Sequence, residues 1–237
     1  MMRSVHLGPP AGLVAQLVLL GALAASVGLG GAGWVAGAAV AVVVTGGLAL
    51  GMDRYAAVRL GPADRVTLAR ATLVVGVAAL SADVLAGPGR TATPVLVALS
   101  TVALVLDAVD GQVARRTRTD SALGARFDME VDALLILVLS VLVASSAGAW
   151  VLAIGVARYA FGAAQAMAPW LRAPTPPRRW RKAVAALQGI VLTVAAAGVL
   201  APGTTRGALV VALALLVVSF GTQARELWAR RRAPAPA

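Results

Sequence analysis

Four aspartates stand at helical spacing in the middle of the chain. They lie in Asp107-x-x-Asp110-Gly111-x-x-Ala114-Arg115 and, eight residues on, in Gly124-x-x-x-Asp128-x-x-x-Asp132. Residues three and four apart share a helix face, so each half of the pattern lines one face of its own helix. The short stretch between the halves predicts an antiparallel hairpin that pools all four carboxylates. Strongly apolar runs flank the pattern on both sides. A charge at the middle of a bilayer costs roughly 2.5–3.5 kcal/mol on insertion scales, so acids in such a place usually mark function. Four crowded anions must take up protons or hold cations between them. Ligands that are all oxygen suit hard divalent ions, Mg²⁺ or Mn²⁺. With no Cys and His6 as the single His, a zinc site is not expected.

The elements that carry these acids are membrane helices. The chain is 59 % hydrophobic with a mean hydropathy of +0.85 over 237 residues, and apolar runs near 20 residues recur. The reading is an all-α, polytopic transmembrane bundle of about eight spans: 13–31, 33–51, 67–86, 93–114, 123–144, 149–168, 183–200 and 207–224. The first span also has the look of a cleaved signal peptide, but the second follows too closely for that. Gly33-x-x-x-Gly37 and Gly47-x-x-x-Gly51 in the second span suit close helix contact. Between the second and third spans, charged residues alternate with Tyr55, Val58 and Leu60 before a Gly61-Pro62 break. This pattern predicts an amphipathic helix lying in the membrane interface over residues 53–66. Residues 1–52 then form two extra N-terminal spans, 67–224 a six-span core, and 225–237 a basic tail.

Charge orients the bundle. With the N-terminus in the cytoplasm, all but three of the 21 Lys and Arg fall on the cytoplasmic side; Arg90 and Arg206 lie outside and Arg158 lies within a span. That asymmetry is what the positive-inside rule requires. Both termini and the acid hairpin are therefore expected to face the cytoplasm, in an integral protein of the cell membrane. The net charge of +11 points to anionic lipid headgroups and phosphate substrates, not to nucleic acid, because the basic residues sit in short loops between apolar runs.

The acid pattern resembles the signature of the CDP-alcohol phosphotransferase family of membrane enzymes, D-x2-D-G-x2-A-R-x8-G-x3-D-x3-D, and every fixed position is present. At average residue frequencies a chance match is on the order of one in a million. The resemblance implies a six-span catalytic core preceded by an interfacial helix, and often a homodimer. It also implies transfer of a substituted phosphate from a CDP-linked donor to an alcohol, with release of CMP. By resemblance, Asp107, Asp110 and Asp128 hold two metal ions, and Asp132 is the general base and touches one ion as well. Gly111 and Ala114 give the nucleotide a bare strip of helix, Arg115 bridges donor phosphates, and Ser121 contacts the pyrophosphate. Asp64, Thr67 and Arg70 match the stretch before the family's first core span and would cup the cytidine.

Each of these residues also has a plainer account. Small residues favour helix packing, Arg115 suits a cytoplasmic anchor, and Ser121 and Asp64 suit helix caps. Gly124 would let the two motif helices approach. Arg158, deep in the sixth span, either pairs with a motif Asp or binds phosphate. Arg178, Arg181 and Lys182 are topology anchors, or they hold a phosphorylated acceptor. The leading function is transfer of a phosphatidyl group from CDP-diacylglycerol to an alcohol such as glycerol 3-phosphate or an inositol phosphate. The alternatives are a small CDP-alcohol donor with a lipid acceptor, and a divalent-cation transporter.

Overall fold

The computed structural model describes residues 8–57, 59–87, 92–117, 121–173 and 179–232. These residues are helical apart from turns and two short 3-10 segments. The helices are α1 (Gly8–Val27), α2 (Gly31–Arg54), α3 (Pro62–Ala86), α4 (Thr93–Thr117), α5 (Ala122–Ala147), α6 (Leu152–Met167), α7 (Arg179–Ala197) and α8 (Pro202–Arg232). Five stretches among the described residues are long and apolar enough to cross a membrane: Gly8–Val27, Gly31–Arg54, Pro62–Ala86, Trp180–Ala197 and Pro202–Arg231. Large apolar side chains such as Val18, Val35, Val43, Val210 and Val217 point outward. Exposed aliphatic faces on helices this apolar belong against lipid. The chain is an integral membrane protein.

The chain divides into two compact units, Met1–Val138 and Leu139–Ala237, with the border inside α5. In the first unit α3 is the axis, packed by α1, α2 and α4. Over its most apolar stretch 56 % of α3 is buried, against 22 % for α1 and 28 % for α2. Missing side chains bring the helices together. A Cβ on Gly12 would strike Leu68, and one on Gly37 would strike Leu20 and approach Ala79. Inside this packing the Thr45 hydroxyl donates to the side-chain oxygen of the fully buried Gln16, joining α2 to α1. At the α1–α2 turn, the backbone N–H groups of Gly30 and Gly33 donate to the Asp83 carboxylate at 2.7 and 2.6 Å. Asp83 thus caps the start of α2 from the last turn of α3.

The interfacial helix expected over residues 53–66 does not form. Asp53 and Arg54 complete α2, residues 55–61 hold no helix among those described, and 62–66 are the first turn of α3. The reason lies in capping chemistry. Pro62 at the first helical position needs no N–H partner, and the Asp64 carboxylate accepts the Gly61 N–H at 2.9 Å, so the helix starts there.

The second unit carries the end of α5 and α6 to α8. Gly148, at φ 110, reverses the chain after α5 in a conformation that disfavours any side chain. Phe161 of α6 meets Phe220 of α8 with ring centroids 4.9 Å apart, and Trp170 meets Trp228 edge-on at 5.2 Å. Gln188 of α7 donates to the Ala212 carbonyl of α8 at 2.9 Å. Arg172 covers the open end of α6 by donating to the Gln165 and Ala166 carbonyls at 2.8 and 3.2 Å.

Candidate active site

The site is built at one end of the first unit from α3, α4 and α5. α4 carries Asp107, and α5 carries Asp128 and Asp132 one turn apart. One carboxylate oxygen from each of these three acids can be chosen so that all lie within 4.8 Å of one another. The hairpin expected from the spacing therefore brings three of its four acids together. Asp110, Gly111, Ala114 and Arg115 fall on the helical run of α4, and their side chains lie outside the described residues.

At the centre of the acids is Arg70, from the buried face of α3. Its guanidinium pairs with Asp128 and Asp132 and lies 3.1 Å from Asp107, while its Nε donates to the Ala103 carbonyl at 3.2 Å. The Arg70 side chain is 1 % exposed, whereas the three carboxyl groups are 37, 34 and 38 % exposed. The cation is thus sealed beneath the acids, and the acids keep an open side. One guanidinium against three carboxylates leaves a net negative charge. Oxygens across an octahedral Mg²⁺ stand about 4.2 Å apart and neighbouring ones about 3.0 Å, so the three acids must draw together to share one ion. The donor set fits a divalent ion.

Six residues before Arg70 on α3 is Asp64, buried and facing the start of α5. Ser121 accepts the Gly124 N–H at 2.8 Å and caps α5, as the plainer sequence account expected. A Cβ on Gly124 would collide with the Asp64 carboxylate and lie 3.0 Å from the Ser121 hydroxyl. Gly124 therefore serves the approach of α5 to α3, a neighbour that spacing along the hairpin did not reveal. Asp64 and Ser121 line a cleft of about 320 Å³ together with Tyr55, Arg59, Gly61 and Leu123. Thr67 and Arg70, expected beside Asp64 at the cytidine, do not line this cleft. The Thr67 hydroxyl donates to the Ala63 carbonyl at 3.3 Å, and Arg70 is drawn into the acids.

The remaining candidates lie in the second unit. Arg158 is half-buried in α6 and Lys182 is exposed on α7. Arg181 pairs with Glu226 of α8 at 3.0 Å, which fits an anchoring role. Arg178 lies outside the described residues. The sequence reading missed the Arg70 contacts and the wall at Tyr55 and Arg59. A lone Arg on a buried apolar face was the signal for the first. The Tyr55-to-Leu60 alternation, read as a membrane-surface pattern, was the signal for the second.

A family model described as CDP-alcohol phosphatidyltransferase matches residues 60–220. The chain belongs to this family. No curated protein and no solved structure matches it. The match spans α3 to α7 and most of α8, and so takes in all three clustered acids and Arg70. It decides between the enzyme and transport readings: the protein is a transferase of substituted phosphate groups, which moves a phosphatidyl group from a CDP-alcohol. The family uses divalent metal, and the Asp107, Asp128 and Asp132 oxygens suit one.

Proposed function

We propose that this protein moves a phosphatidyl group from CDP-diacylglycerol to an alcohol acceptor and releases CMP, with the site open to the cytoplasm. The gathering of Asp107, Asp128 and Asp132 over one buried arginine carries this reading. Helices with apolar outer faces give diacyl chains a place to lie, which favours the lipid as the nucleotide-linked partner.

In this reading Asp107, Asp110, Asp128 and Asp132 hold two Mg²⁺ or Mn²⁺ ions. When bound, these would neutralise the donor pyrophosphate and the charge that develops on departing CMP. Asp132 takes the proton from the acceptor hydroxyl. That oxygen bonds to the phosphorus bearing the diacylglycerol, and the bond from phosphorus to the CMP oxygen breaks with its electron pair leaving on CMP. Asp64, Ser121 and Gly124 shape the nucleotide end, Thr67 stiffens the first turn of α3, and Gly111, Ala114 and Arg115 border the donor along α4. Arg70 holds the acids in one place. A phosphorylated acceptor, such as glycerol 3-phosphate or an inositol phosphate, draws on cations. Arg158, Arg178, Arg181 and Lys182 are the candidates for that task. Arg158 and Lys182 are the positions to vary, and Arg181 pairs with Glu226. All eight helices cross the membrane in this reading, and a homodimer fits the family habit.

The test is CMP release by purified protein with Mg²⁺, CDP-diacylglycerol and a panel of alcohols. Activity with one acceptor class is expected, lost on chelation and restored by Mg²⁺. Asp132→Asn should slow release by on the order of 10²–10⁴-fold, the usual worth of a general base, while Mg²⁺ still raises its melting temperature. Wild-type activity in that variant would remove the assignment. Release from small CDP-alcohols alone, with a lipid acceptor, would reverse donor and acceptor.

A further inference from the structure

The family match begins at residue 60, yet the cleft beside Asp64 is walled partly by residues that precede it, Tyr55, Ala57 and Arg59. We propose that the two N-terminal helices complete the donor site, with Tyr55 at the end of α2 acting as a specificity-determining wall on which the pyrimidine base of the CDP-linked donor stacks. This rests on the nucleotide reading above and adds to it what the extra helices do.

The wall is held firmly. Three backbone bonds close the end of α2: Tyr55 N–H to Gly51 C=O at 3.0 Å, Ala56 N–H to Asp53 C=O at 3.3 Å, and Ala57 N–H to Met52 C=O at 2.9 Å. They wrap the chain about Ala56, at φ 50, a left-handed position where glycine is the relaxed choice. Met52, fully buried, roots this end in the first unit. Gly51 seats directly on α5, since a Cβ there would come 2.8 Å from Leu123, itself a cleft residue. The end of α2 thus touches the start of α5, and the cleft opens where α2, α3 and α5 converge.

Its chemistry suits a nucleotide. Tyr55 is 43 % exposed and lines the cleft, which makes its ring the candidate stacking surface. Gly61, Asp64 and Ser121 bring polar atoms to the same space, and Arg59 places a cation there. Asp64 and Arg70 are six residues apart on α3, roughly 9 Å along its axis at 1.5 Å per residue. A base held in the cleft therefore leaves its diphosphate within reach of the acids around Arg70. A tyrosine at a membrane boundary can also serve as an interfacial anchor, and the test separates the two roles.

Wild type, Tyr55→Phe, Tyr55→Leu and Tyr55→Ala are compared by two measurements: the CMP concentration that half-protects against thermal unfolding with Mg²⁺ present, and the donor KM and kcat with CDP-diacylglycerol. Loss of a stacking partner weakens base binding by on the order of tenfold. Tyr55→Ala and Tyr55→Leu should raise both the half-protecting CMP concentration and the donor KM by about that factor. Their kcat should stay within about twofold and their acceptor KM should not move, while Tyr55→Phe should match wild type. Unchanged CMP affinity and donor KM in Tyr55→Leu would overturn the proposal. So would a lower melting temperature with CMP affinity intact, the mark of a membrane anchor. A wild-type protein that CMP does not protect would strike at the nucleotide reading itself, before any variant is made.

Discussion

Among the described residues, Arg70 and Arg181 each reach acids on another helix, and their surroundings differ in charge balance. Arg70, in the first unit, faces Asp107, Asp128 and Asp132. Arg181, in the second, pairs with Glu226, with side-chain exposures of 14 and 25 %. One site carries surplus negative charge that a guanidinium cannot cancel. The other is neutral as a pair and joins α7 to α8. Burial alone does not distinguish them. The surplus does: an unbalanced cluster with an open side invites a cation, whereas a balanced pair between two helices fastens them.

The sharpest way to break this comparison is Arg70→Gln. Removing one partner of a buried ionic cluster costs about 3–5 kcal/mol, because the charges left behind lose their compensation. The melting temperature in chelator should fall steeply, and Mg²⁺ should recover more of it than in wild type, at a lower half-saturating concentration. A variant with wild-type stability in chelator and an unchanged Mg²⁺ midpoint would show that Arg70 is not the counterweight of the acids. A smaller effect is expected from Gly124→Ala, whose added methyl forces Asp64 aside and overpacks the joint between α3 and α5. Overpacking typically costs about 1–3 kcal/mol. Thermal unfolding should register that loss together with weaker CMP protection. Smallest of all, Glu226→Gln breaks the balanced pair, which is partly open to solvent, so about 1 kcal/mol or less should go. CMP release should stay within about twofold. A collapse of activity in Glu226→Gln would mean that the pair takes part in the chemistry, and the contrast would fail.

How much of this was legible in the sequence differs by residue. The three pooled acids were, because helical spacing translates directly into a shared face and the chain between α4 and α5 leaves little choice of partner. The Ser121 cap was also readable from residue type and position. Arg70 was read as a cytidine contact, whereas its partners lie 37 to 62 positions further on in the chain, on two other helices, and no local pattern encodes them. Gly124 was read as a contact point between the motif helices, and its neighbour Asp64 on α3 was not foreseen, since spacing says that a side chain is missing and not what fills the gap. The amphipathic pattern over 53–66 misled for a different reason. Its charged and apolar residues are shared between the end of one helix and the start of the next, and Pro62 with the Asp64 cap sets the border. Of the two glycine motifs in α2, Gly33 and Gly37 do meet close neighbours, while Gly47 faces open space.

The bond from Asp83 to the amides of Gly30 and Gly33 reaches back fifty positions to the turn between the first two helices. Peeling that hairpin away would deprive the Asp83 carboxylate of both amide donors at the end of α3. The leading hairpin is thus tied to α3 by that one carboxylate. A shortened version starting at α3 would leave Asp83 without the amides of Gly30 and Gly33.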